Sequence, residues 1–200
     1  EQTDTIEKQL IDSRTALGLY LAQLNYFVEA KKSIDPVIDL TVKHDYKKRL
    51  AQIYMLVGAY AGFVVEDFSE SVKQLEQGIN ISEEINDLVS FVFGNYWLGT
   101  ILSGCCEFKK SYSHLEKALE INVAANNLWG ISGMKSTLGM VMYFHGQIDR
   151  AYRTSSEATQ LAEKSGDIYS KAAAYTQHGM SCYGKLFLEE ALALADQGGI

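Results

Sequence analysis

His178 and Cys182 stand four residues apart, the spacing at which one helical face offers an imidazole and a thiol to the same metal ion. Two further cysteines, Cys105 and Cys106, are adjacent but far upstream, and no third ligand follows the His–Cys pair in either direction. These residues read as small core thiols and a packed histidine, so no metal site is expected. His114 and His145 have no Ser, Cys or Asp partner in a nucleophile–base arrangement. Gly130, Gly133 and Gly139 fall within a helical pattern, not after a strand, so they do not form a phosphate loop. Glu83-Glu84 and Glu189-Glu190 are neighbouring pairs that point in different directions on helices and read as solvated faces. No catalytic constellation and no cofactor is expected, and the chain is not expected to be an enzyme.

Composition narrows the partners. The 200 residues carry 18 basic and 25 acidic side chains, a net charge of -7. That balance argues against nucleic acid or an anionic membrane, because both need clustered Lys and Arg. The apolar run Tyr54–Val65 is about half the ~20 residues that span a bilayer. Three cysteines, two of them adjacent, suggest reduced thiols in the cytoplasm rather than a disulfide framework. No basic segment with a cleavage pattern opens the chain, so no leader is expected. The first residue is Glu1, not Met, which suggests a fragment of a larger protein.

The elements that carry these residues are helices. There is one proline, and apolar residues recur at helical spacing, as in Val72, Leu75 and Ile79. Short polar clusters break the pattern: Lys43-His44-Asp45, Asn86-Asp87, Asn126-Asn127 and Gly166-Asp167. Gly and Asn tolerate left-handed geometry, and Asp can cap the helix that follows.

The helices are organised as a repeat. Gly18, Gly58, Gly99, Gly139 and Gly179 each follow an aliphatic residue, or His178 in the last case, at spacings of 40, 41, 40 and 40. Twelve residues after each glycine stands a small residue: Ala30, Ser111, Ala151 and Ala191, with Ser71 displaced by a one-residue insertion. Large apolar residues follow at nine: Phe27, Phe108, Ile148 and Leu188, with Phe68 again displaced by one. Five copies in register predict helix pairs, each a helix to about five residues past the glycine, a turn, and a second helix. The copies span approximately 4–45, 46–86, 87–126, 127–166 and 167–200. Small residues in both helices of a pair allow close backbone approach, so Gly99 should face Ser111 and Gly139 should face Ala151.

These landmarks resemble the tetratricopeptide repeat (TPR), best in Leu138-Gly139 with His145-Gly146-Gln147-Ile148 and Ala151. The period departs from the family's 34 residues, and the family's usual proline at the end of the second helix is missing, while Pro36 sits inside one. HEAT or armadillo repeats have the period but not the small-residue pair. The resemblance implies an all-α, right-handed α-α superhelix of about five antiparallel helix pairs in one repeat domain. It further implies a non-catalytic scaffold that binds a peptide or partner domain, or its own parent's catalytic module, on a concave face. Long repeats of this style are similar to those in bacterial signalling proteins, linked to cyclase, kinase or nucleotide-hydrolysing modules. The alternative is a small-molecule sensor using the same concavity.

In TPR arrays the first helices line that face. The implied positions include Phe63, Phe93, Tyr96, Met140, Tyr143, Phe144, Met180 and Tyr183, with Gln52, Met55, Ala59 and Gly62 in the second copy and Ser103 and Ser136 later. This surface is aromatic, Met-bearing and almost uncharged, as partner surfaces tend to be. The last second helix should run only from Leu188 to about Gln197. Its Ala191, Leu192, Leu194 and Ala195 should form an exposed apolar patch capable of weak end-to-end association.

Overall fold

The structure, a computed structural model, describes residues 2–199, and all regular secondary structure among them is helical. Contacts group the chain into two compact units, residues 1–101 and 102–200. The first unit holds α1 (Gln2–Gln23), α2 (Phe27–Ile34), α3 (Ile38–Lys43), α4 (Lys47–Tyr60), α5 (Phe68–Glu84) and most of α6 (Leu88–Gly104). The second holds the end of α6, then α7 (Phe108–Ala124), α8 (Leu128–Phe144), α9 (Ile148–Ser165), α10 (Ile168–Gly184) and α11 (Leu188–Gly198). In repeat terms α2 and α3 are one second helix interrupted at Pro36, where Asp35–Val37 tightens into a 3-10 turn. A proline has no N–H for the helical ladder, and its ring crowds the preceding turn.

The hairpins close on the repeat glycines. A Cβ built at Gly18, Gly58, Gly139 or Gly179 would stand 3.4, 3.1, 3.5 or 3.5 Å from the carbonyl oxygen of Ala30, Ser71, Ala151 or Ala191 respectively. Each carbonyl belongs to the small residue of the partner helix. Ser71 also donates its hydroxyl to the Gly58 carbonyl at 2.8 Å. The expected facing of Gly139 and Ala151 is thus observed, and three other copies repeat it.

Turns keep the same beat. Left-handed residues occur at Asn25, Asp45, Glu66, Asn86, Cys106, Asn126, Gly146, Gly166 and Leu186, about one every 20 residues. Most close a helix with paired backbone bonds, as where Leu186 N–H donates to Tyr183 O and Phe187 N–H to Cys182 O, each at 2.9 Å. At the last three turns between repeats the next residue caps the following helix, Asp87 accepting from Ser90 N–H at 3.4 Å, whereas Tyr46 at the first offers no cap. Asn127 accepts from Gly130 N–H at 3.3 Å, and Asp167 accepts from Ser170 N–H at 2.7 Å. The inserted residue of the second copy is absorbed as a π turn at Ala61–Val65, which takes one more residue per turn than an α-helix.

Glu66, Cys106 and Leu186 depart from Gly, Asn and Asp in this series, and Leu186 is the aliphatic one. It is 78% exposed at φ 63, where Gly146 occupies the equivalent position one repeat earlier. The side chain gains little from burial, while left-handed geometry costs a Cβ-bearing residue about 1–2 kcal/mol. Leu186→Gly is expected to stabilise the second unit by about 0.5–1 kcal/mol after the extra flexibility of the unfolded chain is subtracted. Urea unfolding reads the gain, and an unchanged or lower midpoint would contradict it.

The two cores differ in texture. The first unit buries Ile11, Ile34, Ile53, Met55, Leu56 and Leu75, all at or below 1% exposure. In the second, Ala158, Ala162 and Ala174 form a tight cluster where α9 meets α10. α11 contributes no fully buried residue, and Leu188 and Leu192 are exposed on it. Leu194 and Ala195 are half-buried, with Leu194 Cβ 3.5 Å from a Cβ built at Gly179.

Candidate functional site

Two kinds of surface could carry function: the outward faces of the first helices, and a polar cluster beneath α11. In the second unit, Phe144 is 55% exposed at the end of α8 and Tyr183 is 62% exposed on α10. Met140, Tyr143 and Met180 beside them are half-buried. Tyr143 meets Phe144 edge-on at 5.8 Å, and its ring lies 2.8 Å from where a Gly184 Cβ would stand. Gly184 therefore makes room for the Tyr143 ring, which both packs α8 on α10 and contributes to the surface.

In the first unit, Phe93 and Tyr96 are half-buried on α6, with Phe93 6.1 Å from Trp97. Phe63 is partly exposed but stacks on Phe27 at 4.9 Å. The other second-copy positions do not form an open face. Gln52, Met55, Ala59 and Gly62 are all buried, as are Ser103 and Ser136 in later copies. Met55 fills a recess left by two glycines, since Cβ atoms at Gly78 and Gly94 would come within 2.9 and 3.0 Å of its side chain.

The cysteines separate by environment. Cys106 is exposed in a left-handed turn and Cys105 is half-buried, so the expectation of core thiols holds for Cys182 alone. Burial, followed by the charges of Cys106 and Glu107, pushes the Cys105 thiol up.

Glu190 also departs from the sequence reading. Placed as a solvated residue, it turns toward α10: its carboxylate lies 3.6 Å from His178 Nε2. His178 and Cys182 are buried, at 5% and 0% exposure, and Nε2 is 4.0 Å from Sγ. The Ser155 hydroxyl of α9 is 2.9 Å from His178 Nδ1, and Tyr152 lies with its ring 5.0 Å from the imidazole. Burial pushes the Cys182 thiol up to about 12, helped by the adjacent Glu190 charge. Burial pushes the His178 imidazole down, with Glu190 opposing. A thiol so strongly protonated is a poor nucleophile.

The third residue was missed because nothing in the linear spacing sets the register of α11 on α10. A signal was nonetheless present in the repeat itself. Where the other copies place Leu17, Val57, Leu98 and Leu138, the last places His178; where they place Ile34, Leu75 and Leu115, the fourth places Ser155. Two departures from an apolar pattern meet in space.

No family model matches the chain, and no curated protein matches it. Solved structures do. The TPR-like repeats from Podosopora anserina described as those of a kinesin light chain superpose with a TM-score of 0.64 at 16% identity, over 94% of this chain and 92% of that one. A Rap protein complexed with competence and sporulation factor gives 0.76 at 14% identity, covering 94% of this chain and 53% of Rap. YrrB, a TPR protein with an unusual peptide-binding site, gives 0.51 at 22% identity, over 98% and 89% of the two chains.

Proposed function

We propose that this chain, whose fold is the TPR-like helical-hairpin solenoid, is a non-catalytic scaffold that takes a peptide or partner domain on its first-helix faces. The observation that carries the reading is the exposure of Phe144 and Tyr183 on adjacent first helices, flanked by Met140, Tyr143 and Met180. Aromatic and methionine side chains at a surface bury large area on binding at modest entropic cost. The peptide-binding site of YrrB and the complex of Rap with competence and sporulation factor support the same use of the fold. Phe93, Tyr96 and Phe63 extend the reading to the first unit.

A regulatory role in a larger cytoplasmic signalling protein fits the repeat length and the three free cysteines. No helix among the described residues is long and apolar enough to cross a membrane. The exposed Leu188 and Leu192 support weak self-association as part of this reading.

Peptide display against the immobilised chain provides the test. Peptides enriched on the wild type are expected to lose at least about tenfold in affinity, roughly 1.4 kcal/mol, on Tyr183→Ala, with Tm unchanged within about one degree. Tyr183 is the cleaner probe, because truncating Tyr143 also empties the space above Gly184. Enriched peptides that bind Tyr183→Ala and Phe144→Ala as well as wild type would remove this surface from the site.

A further inference from the structure

We propose that His178 Nε2, Cys182 Sγ and a Glu190 carboxylate oxygen form a three-ligand site for a zinc-type divalent ion that fastens α11 to α10. All three ligand atoms lie within 4.8 Å of one another. A tetrahedral zinc centre, with bonds of about 2.3 Å to sulfur and about 2.0 Å to nitrogen or oxygen, separates S from N by roughly 3.5 Å and N from O by roughly 3.3 Å. The observed 4.0 and 3.6 Å need only small side-chain adjustments to close on an ion. One thiolate, one imidazole and one carboxylate make a borderline-soft set, suited to zinc rather than to calcium or magnesium.

Hydrogen bonding fixes the imidazole in the form a metal requires. Ser155 Oγ donates to the Ala151 carbonyl at 2.7 Å, with the Tyr152 carbonyl also near at 3.1 Å. We assign the single hydroxyl proton to the Ala151 carbonyl, the nearest of its three acceptors, which leaves the oxygen to accept from His178 Nδ1. The proton then sits on Nδ1, and the lone pair of Nε2 points at Glu190 and Cys182. A ring nitrogen whose partner holds its other N–H is the usual arrangement behind a metal-bound histidine. The Glu190 oxygen that lies 3.6 Å from Nε2 also accepts from the Tyr152 hydroxyl at 3.4 Å, an outer-shell partner that would orient it toward an ion.

Among the described residues the other cluster of possible ligands, Asp4, Glu7 and His44, is already supplied with a cation. There the Lys43 ammonium already pairs with Glu7 at 2.9 Å, so the carboxylate has its cation. At the proposed site, Lys185 is engaged elsewhere, by Asp149 and the Tyr152 ring. α11 is also the helix with most to gain, because none of its residues is fully buried.

The experiment adds Zn²⁺, or Co²⁺ as its spectroscopic substitute, to the reduced chain. One ion per chain is expected to bind at micromolar concentration or tighter, with a thiolate-to-cobalt charge-transfer band and tetrahedral d–d bands. Zinc should slow amide exchange across Leu188–Gly198. Glu190→Gln, at an exposed position, should weaken binding by more than the ~10–100-fold that outer-shell partners typically contribute. Cys182→Ser should abolish the charge-transfer band, and a Cys105→Ser/Cys106→Ser double variant should retain both band and affinity. The proposal is overturned by any of three results: no stoichiometric binding, binding unchanged in Glu190→Gln, or a band that disappears with Cys105 and Cys106. None of these readouts depends on a peptide partner, so the scaffold reading is tested separately.

Discussion

Alanine at Gly58 is expected to destabilise the first unit by about 1–3 kcal/mol, whereas alanine at the equivalent Gly179 should stabilise the second by up to about 1 kcal/mol. Both glycines lie inside helices, where alanine is favoured over glycine by about 0.8–1.0 kcal/mol. Space then decides the sign. At Gly58 a Cβ would stand 2.8 Å from Leu75 Cγ, 3.1 Å from Leu75 N and 3.1 Å from Ser71 O. Two of those atoms are α5 backbone, so relief requires the helix itself to move. At Gly179 the nearest atoms are Ala191 O and Leu194 Cβ, both at 3.5 Å, an ordinary contact distance. Gly18 should fall between, because its closest neighbours are the side-chain methyls of Ile34 and Leu56, both at 3.0 Å. Denaturant midpoints of the three variants give the ranking, and a destabilised Gly179→Ala would show that the hairpins do not differ in closeness.

This ordering marks how far the sequence could be read. The five glycines and their small partners identify which residues meet, because a fixed offset in a repeat translates directly into a fixed contact. Dipeptides such as Asn126-Asn127 and Gly166-Asp167 were legible for the same reason: a left-handed residue followed by a capping side chain is local chemistry. Even the inserted residue of the second copy was visible, and the π turn at Ala61–Val65 is its structural form. What escaped depends on side chains crossing between elements. Met55 and Gln52 read as outward positions because the family pattern places them so, but Gly78 and Gly94 open a recess that draws Met55 inward. Gln52 reaches Ser90 at 3.2 Å. Glu190 read as solvated because it is one of an adjacent acidic pair with Glu189, and only the packing of α11 on α10 turns it toward His178.

Leu75→Ala should be among the most destabilising single changes in the first unit, costing about 2–5 kcal/mol. Its side chain is fully buried, and it occupies the position held by Ile34 and Leu115 in neighbouring copies, both also fully buried. Because Leu75 Cγ is what a Gly58 Cβ would strike, the two substitutions are coupled. Truncating Leu75 leaves a void against α4, and a methyl at Gly58 points into it. Gly58→Ala/Leu75→Ala should therefore be more stable than the sum of the single changes implies, with a coupling of about 0.5–3 kcal/mol as contacting residues show. Rescue will be incomplete, since the Ser71 carbonyl and the Leu75 amide stay 3.1 Å from the new methyl whatever side chain follows. A double-mutant cycle by urea unfolding measures the term directly. Strict additivity would mean that Gly58 and Leu75 do not share the contact on which this hairpin closes.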